Sequence, residues 1–284
     1  MNDPVLKILV EKSDRISKDF LSLLSRCGFK TNENANKLYC NLDELPVEIY
    51  FVRGVDIPTL LENRFDIAVM GLSAVWEFNL LEKNIEILKK LNYSNCRLSF
   101  AGKDLADLPN GLNGKTIATT YTNILSKYLK ENSIDAKIVK LNGSVESSIR
   151  IGIADYIFDI VQTGSTLAQS GLIEILPVYN SEAVIIQKSG FKSDALNKIM
   201  FRLNAVLQQQ SYKYIMFNIK KDLLPEITKM LPAGRSPTIL DLVDKDYNAV
   251  QTMCEERRVW DICEKIKNIG AEDILVMDID LKFD

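Results

Sequence analysis

Histidine is absent from all 284 residues of this chain. Its absence removes Ser-His-Asp and Cys-His triads, H-E-x-x-H metal sites and imidazole general bases together. Any chemistry uses other groups, and a reaction governed by positioning and electrostatic stabilisation of a phosphorylated substrate fits better than hydrolysis of a peptide or ester. Cysteine is sparse: Cys27, Cys40, Cys96, Cys254 and Cys263 are scattered, odd in number and without a C-x-x-C pair. Neither a disulfide framework nor a zinc site is signalled, and reduced, mostly buried thiols are expected. No apolar run approaches the roughly 18 residues of a membrane span, and MNDPVLKILVEKS lacks the basic start and long apolar core of a signal peptide. The chain therefore reads as cytoplasmic, with no membrane partner. Net charge is −3 with no strong block of either sign, so a nucleic-acid partner is not expected either.

What is present is a core-forming composition, 46% hydrophobic and 26% charged, enough for one large core or two to three smaller ones. Val5 to Val10 reads as a first strand, and Ile16, Phe20, Leu23, Leu24 and Cys27 mark a helix closed by Gly28. The loop between them carries Lys12, Ser13 and Arg15 where α/β sheets place ligands, although a solvated helix start is the plainer alternative. Lys37 to Leu42 and Val47 to Val52 read as paired strands. Asp56 then caps a helix with Pro58 in its first turn, and Phe65 to Leu72 reads as a buried strand ending at Gly71. Further strands are expected at Ile85 to Leu91, Arg97 to Ala101, Ile117 to Tyr121, Ala136 to Leu141, Leu172 to Val178 and Ala183 to Gln187, with a helix from Asn123 to Glu131. Asn113-Gly114-Lys115-Thr116 imitates the end of a Walker A loop. Pro109 stands where its first glycine belongs, and β-prone TIATTY follows instead of a helix, so a P-loop is rejected.

The richest stretch is Ala154 to Leu172. Tyr156 to Val161 has the length of a buried strand, and Thr163-Gly164-Ser165-Thr166 then opens a short helix. Gly164 lets backbone approach a ligand, the hydroxyls donate, and free amides at a helix start favour an anion. A phosphate monoester suits that turn, with Asp155 and Asp159 able to accept from sugar hydroxyls; an ordinary capped helix is the alternative. Asn142-Gly143-Ser144-Val145-Glu146 is a second turn that can set Ser144 and Glu146 beside a ligand or simply start a helix. After Lys188 the pattern changes. Ala195 to Gln210 is amphipathic, and strands and helices then alternate as βαββαβ: Tyr212 to Ile219, Leu223 to Leu231, Thr238 to Val243, Tyr247 to Cys254, Arg257 to Ile269 and Ile274 to Ile279. That order is the ferredoxin-like sandwich.

Taken in order, the motifs resemble one family over nearly the whole chain. They are Lys12-Ser13-x-Arg15, Arg53-x-x-Asp56-Ile57-Pro58, Cys96-Arg97-Leu98-Ser99, Asn113-Gly114-Lys115, Ile117-Ala118-Thr119, Asn142 to Glu146, Asp159-Ile160-Val161, Thr163-Gly164-Ser165-Thr166-Leu167 and Ser236-Pro237-Thr238. The family is the long form of ATP phosphoribosyltransferase, which joins ATP to phosphoribosyl diphosphate (PRPP) at the start of histidine biosynthesis. The resemblance implies an α/β fold of two periplasmic-binding-protein-like lobes, residues 1–91 with 181–210 and residues 92–180, followed by a ferredoxin-like (βαββαβ) regulatory domain at 211–284. It implies Mg²⁺, assembly as dimers and hexamers, and inhibition by L-histidine. Residue by residue, it implies PRPP on Asp155, Asp159, Thr163, Gly164, Ser165, Thr166 and Leu167, with Glu146 and Asp159 catalytic. It implies ATP on Lys12, Arg15, Arg97 and Tyr121, and histidine on Asn218, Ser236, Thr238 and Ala271.

Departures from the family pattern fall mainly on the nucleotide side. Asp14 replaces a glycine, Gly71-Leu72-Ser73 replaces Gly-Glu-Asn, Thr120-Tyr121-Thr122 replaces Ser-Tyr-Pro, and Ser148-Ile149 replaces Ala-Pro. Asp14 is expected to lie near ATP phosphates or pair with Arg15, the alternative being an exposed carboxylate at the helix start. Two function classes follow: a working transferase with an altered ATP site, or a weakly active or inactive relative that binds ligand and regulates or scaffolds another subunit. A solute-binding module is a third, disfavoured by the lack of an export signal.

Overall fold

The computed structural model describes residues 4–33, 38–104, 110–209, 212–231 and 236–282. Two units divide it, residues 1–196 and 197–284. In the first unit, an opening series comprises β1 (Leu6–Glu11), α1 (Asp14–Arg26), β2 (Thr31–Glu33), β3 (Tyr39–Leu42), β4 (Val47–Val52), α2 (Ile57–Asn63), β5 (Ile67–Gly71), α3 (Leu72–Glu77) and β6 (Ile85–Lys90). The chain then crosses into β7 (Cys96–Gly102), β8 (Thr116–Thr119), α4 (Thr122–Glu131), β9 (Lys137–Lys140), α5 (Ser147–Arg150), β10 (Tyr156–Val161), α6 (Ser165–Gln169) and β11 (Ile173–Ser181). It crosses back as β12 (Ala183–Lys188).

The resulting sheets are ordered β2-β3-β4-β1-β5-β12-β6 and β11-β7-β10-β8-β9. Leaving aside the β2–β3 edge, both follow one rule. Two parallel strands flank the first, and the fourth is reached only across a strand arriving from the other lobe. That visiting strand runs antiparallel to both neighbours: β12 against β5 and β6, β7 against β10 and β11. Two α/β lobes joined by two crossovers, the first sheet completed by β12 only after the second lobe has been traversed, form the periplasmic-binding-protein-like arrangement expected from the sequence.

Burial explains why the strands are apolar runs. Every residue of β5 is buried, and Leu9, Met70, Val184 and Ile186 pack with Ile57 and Leu61 of α2. In the second lobe Phe100, Phe158, Leu125 and Leu129 share one core, while Ile157, Val161, Val145, Ile149, Leu167 and Leu172 fill another. Strands covered on both faces lose the polar alternation of a half-exposed sheet. Helix α1 starts where the Ser13 hydroxyl accepts from the Ile16 amide at 3.2 Å and ends where Gly28 takes φ 77°.

Several expectations shift. The strand ends at Gly71 as expected, and Gly71 is the N-cap of a helix, α3, that the sequence did not announce at Leu72. Strand β8 stops at Thr119, because the buried Thr119 hydroxyl takes the Tyr121 amide at 2.8 Å and turns the chain into α4. Asp56 makes no side-chain cap bond; a 3₁₀ turn, Gly54–Asp56, leads into α2 instead. A strand follows Lys115, as the rejection of a P-loop required, while Pro109, Lys37 and Gln210 lie outside the described residues.

The second unit takes in most of α7 (Asp194–Gln209), then β13 (Tyr212–Lys220), α8 (Leu224–Met230), β14 (Thr238–Asp241), β15 (Tyr247–Glu255), α9 (Val259–Ile269) and β16 (Glu272–Asp278). Its sheet is β14-β15-β13-β16 with every neighbouring pair antiparallel. Counted within the unit this is the 4-1-3-2 order of the ferredoxin-like sandwich read from the other edge. Ile215, Phe217, Ile219 and Val250 of the sheet pack on Ile227, Ile262 and Ile266 of the helices. All five cysteines are free thiols, four of them buried. Among the described residues no helix is long and apolar enough to cross a membrane.

Candidate active site

The carboxyl ends of parallel strands are where open α/β sheets bind ligands, because helix starts and loops converge there. In the first lobe those ends carry Lys12 and Arg15 after β1, and Gly71 with Ser73 after β5. In the second lobe they carry Tyr121 after β8, Glu146 after β9, and the Thr163 to Leu167 turn after β10. Lys12 is exposed and Arg15 half-buried. The Arg15 carbonyl accepts from the Ser94 hydroxyl at 2.6 Å, which fixes the start of α1 against the crossover.

The turn after β10 is organised by one residue in the left-handed region, Gly164 at φ 79°, where an added Cβ would meet no atom within 4 Å. Glycine is needed for the angle and not for space. The Thr163 and Ser165 hydroxyls lie 3.0 Å apart, and Ala168 donates to Gly164 at 3.0 Å to start α6. Among the described residues the amides of Gly164, Thr166 and Leu167 have no backbone or side-chain acceptor. Thr163, Ser165 and Thr166 are exposed, while the Leu167 side chain is buried in the lobe core and leaves only its amide to the turn. Helix α6 has five residues. Free amides and hydroxyls, more than a macrodipole, therefore make the turn receptive to an anion.

Two carboxylates border it. Asp159 is carried by β10, and burial, with the Glu146 charge adding, pushes its carboxyl up to about 6; a hydrogen bond from the Ile160 amide at 2.8 Å opposes the shift. Glu146 at the start of α5 is half-buried. Tyr121 faces the same centre. Burial first, then the Asp159 charge, raises its phenol, while the nearby Ser73 hydroxyl and the Arg15 charge pull it down. Residues from both lobes thus meet around Tyr121: Ser73 and Arg15 from one, Asp159 from the other.

Three expected residues stand elsewhere. Asp155 precedes β10, whereas the anion turn follows it. Six residues at about 3.3 Å each put the two ends roughly 20 Å apart. There the Asp155 carboxylate accepts from the Thr116 amide at 2.8 Å and faces Lys115 at 3.7 Å, which locks the start of β8. Arg97 is engaged within its own lobe. Its guanidinium forks onto Glu174 of β11 and donates to the Gln162 carbonyl at 3.2 Å, one residue before the turn. Ser99 adds a hydroxyl to the same carboxylate at 2.6 Å, and the Arg97 pair holds Glu174 below the usual carboxylate range. Asp14 pairs neither with Arg15 nor with a ligand position: it meets Lys18 at 3.2 Å, both side chains well exposed. Sequence reasoning did not find Glu174, because an acid in a β-prone run carries no local signal; Ser73 was met only as part of the Gly71-Leu72-Ser73 departure.

In the second unit, Asn218 of β13 and Ala271 come together, since Asn218 pairs with Glu272 in register and donates to Asp273 at 3.0 Å. Ser236 and Thr238 are exposed at the other edge, with β15 between β14 and β13. Among the described residues no group of three or more Cys, Asp or Glu side chains is placed to hold a metal ion.

A cleft with an anion turn on one wall, basic side chains on the other and two carboxylates between defines an enzyme that aligns a phosphorylated substrate with an anionic partner. The ATP phosphoribosyltransferase (HisG) family model matches residues 53–205, and the HisG C-terminal domain model residues 210–281. Among curated proteins, the ATP phosphoribosyltransferase of Bacteroides thetaiotaomicron is 38% identical over 97% of this chain and 99% of its own length. That of Cytophaga hutchinsonii is 37% identical over 97% of this chain and 98% of its own. In structure, the ATP phosphoribosyl transferase (HisG:HisZ) complex from Thermotoga maritima superposes with a TM-score of 0.58 at 23% identity, covering 70% of this chain and 96% of that one. The chain belongs to the ATP phosphoribosyltransferase family. Its activity is that of a pentosyltransferase joining ATP to PRPP in the first step of histidine biosynthesis.

Proposed function

We propose that Thr163 to Leu167 binds the 5-phosphate of PRPP through the hydroxyls of Thr163, Ser165 and Thr166 and the amides of Gly164, Thr166 and Leu167. Glu146 and Asp159 accept hydrogen bonds from the ribose hydroxyls, and Lys12, Arg15 and Tyr121 hold ATP against the other wall. N1 of adenine, which carries a lone pair and no proton, attacks C1 of the ribose. The bond from C1 to the diphosphate oxygen breaks, and pyrophosphate leaves with the electron pair. The protein aligns two anions and stabilises charge on the leaving group, so the lack of histidine is no obstacle. The observation that carries this reading is the turn of unpaired amides and hydroxyls beside the Glu146 and Asp159 carboxylates.

Mg²⁺ suits this cleft as an ion brought in on diphosphate oxygens, since among the described residues no group of three or more acidic or cysteine side chains is placed to cage it. When bound it neutralises diphosphate charge, with Glu146 and Asp159 the side chains available to it. Lobe boundaries at 1–91 with 181–210 and at 92–180, a regulatory domain at 211–284, a cytoplasmic location and dimeric and hexameric assembly complete the proposal. L-Histidine, in the same reading, binds where Asn218 and Ala271 of one copy meet Ser236 and Thr238 of another. The test is formation of N1-(5-phosphoribosyl)-ATP and pyrophosphate from ATP, PRPP and Mg²⁺. Product that scales with enzyme is expected, and no product at any enzyme concentration overturns the transferase reading in favour of a regulatory subunit.

A further inference from the structure

Helix α4 starts without a cap of its own, since Tyr121 occupies the N-cap position and its side chain makes no capping bond. The missing acceptor comes from the other lobe. Glu77, at the end of α3 and 7% exposed, takes the Asn123 amide on both oxygens at 3.1 and 3.0 Å, the Ile124 amide at 3.1 Å and the Thr122 hydroxyl at 3.2 Å. The Asn123 side chain returns a bond to the Glu77 carbonyl at 2.7 Å. A buried carboxylate on the free amides of a helix start is the pairing that the dipole and unmet donors favour. Here it also joins two lobes that share no other helix-to-helix cap among the described residues.

Glu77 does not act alone on that face. Ser73 lies on the side facing Tyr121, and Trp76 packs against the cores of both lobes and meets Tyr179 of β11 edge-on at 6.0 Å. Positions 73, 76 and 77 are spaced i, i+3, i+4, so one stripe of a single short helix makes all three contacts across the cleft. The same stripe places Tyr121, the residue directly before the capped turn.

We propose that Glu77 is a positioning residue for the transferase reaction: by capping α4 from the opposite lobe it fixes the angle between the nucleotide wall and the phosphate turn. This rests on the reading of the cleft given above. Binding of PRPP uses only the second lobe, so it is insensitive to that angle. In-line approach of N1 to C1 needs both walls, so turnover is sensitive to it.

The experiment compares Glu77→Ala with Glu77→Gln, which keeps one acceptor oxygen. Each is assayed for kcat and for PRPP binding by titration calorimetry. Separately, the inter-lobe distance is read by pulsed electron resonance between spin labels at Glu62→Cys and Lys130→Cys, both exposed, with Cys263→Ser. Glu77→Ala is expected to lower kcat at least tenfold, leave the PRPP dissociation constant within twofold and broaden the distance distribution, with Glu77→Gln intermediate on kcat and width. A folded variant with parental kcat, or one that loses kcat while its distance distribution stays parental, overturns the proposal. If Glu77→Ala does not fold, Glu77→Gln is judged by the same criteria. Should the parent chain make no phosphoribosyl-ATP, the distance measurement alone decides the role of Glu77, separately from the reaction.

Discussion

Asp159 ties stability to pH through a carboxyl that burial pushes from 3.8 to about 6. The fold disfavours the charged form, so the stability associated with protonation is full below about pH 3.8 and is lost as pH rises through about 6. A shift of about two units corresponds to up to roughly 3 kcal/mol. Asp159→Asn is therefore expected to be more stable than the parent at pH 7.5, with the gap closing below pH 4. Urea unfolding of the unliganded chain at several pH values checks this, and a gap that does not change with pH removes burial as the cause. The same group gives kcat/KM an acid limb near pH 6, because only the carboxylate accepts from a sugar hydroxyl with full strength. Thr166→Val removes one hydroxyl and is expected to raise the PRPP Michaelis constant about tenfold or more, the cost of a charge-assisted hydrogen bond of roughly 1.5–3 kcal/mol. Unchanged PRPP kinetics would move the phosphate elsewhere. Asp14, held by Lys18 in solvent, has no such leverage. Asp14→Gly should leave both Michaelis constants within twofold, measured by varying each substrate in turn.

Among elements, β10 and its turn were legible because their signals are local: an apolar run of strand length, then a glycine between hydroxyls. What lay beyond the sequence was decided by partners far along the chain. Arg97 sits in a motif that points to nucleotide, yet Glu174, 77 positions later, captures it through the register of β11 beside β7. Asp155 and Thr163 are near in sequence, but an intervening extended strand sends them to opposite ends of the sheet. Helix α3 escaped notice because it is six residues long and starts after Gly71 with no side-chain cap to mark it. The Arg97 finding has a kinetic corollary. Because Arg97 braces Gln162 just ahead of the anion turn, Glu174→Gln should raise the PRPP Michaelis constant several-fold, roughly 3–10, and leave that for ATP within twofold. A larger effect on ATP would return Arg97 to the nucleotide side.

At the scale of the whole molecule, the βαββαβ order of the second unit was readable because each element has its own periodicity, whereas the effector residues were not gathered by the fold of one chain. Asn218 and Ala271 lie together and Ser236 and Thr238 two strands away, which is why the histidine site proposed above draws on two copies. Asn218→Ala is expected to raise the histidine concentration for half-inhibition at least fivefold with little change in uninhibited turnover. Inhibition curves on the intact assembly decide it, and an unshifted curve removes Asn218 from the effector site. Coupling of this kind is reciprocal, so histidine should weaken substrate binding by the same factor by which substrate weakens histidine.

The return of β12 to the first sheet has a consequence for how the chain is made. During synthesis β6 emerges with no neighbour, because β12 is its only partner in the sheet. About 90 residues separate the two, and at roughly 5–20 residues per second the ribosome needs on the order of 5–20 s to supply the missing strand. For that interval the amino-terminal sheet is an unfinished edge in the crowded cell, and it cannot close before the lobe that follows it has been built. The second sheet, built wholly from residues 96–181, has all its strands before the first can be completed, which reverses the usual amino-terminal-first order of vectorial folding.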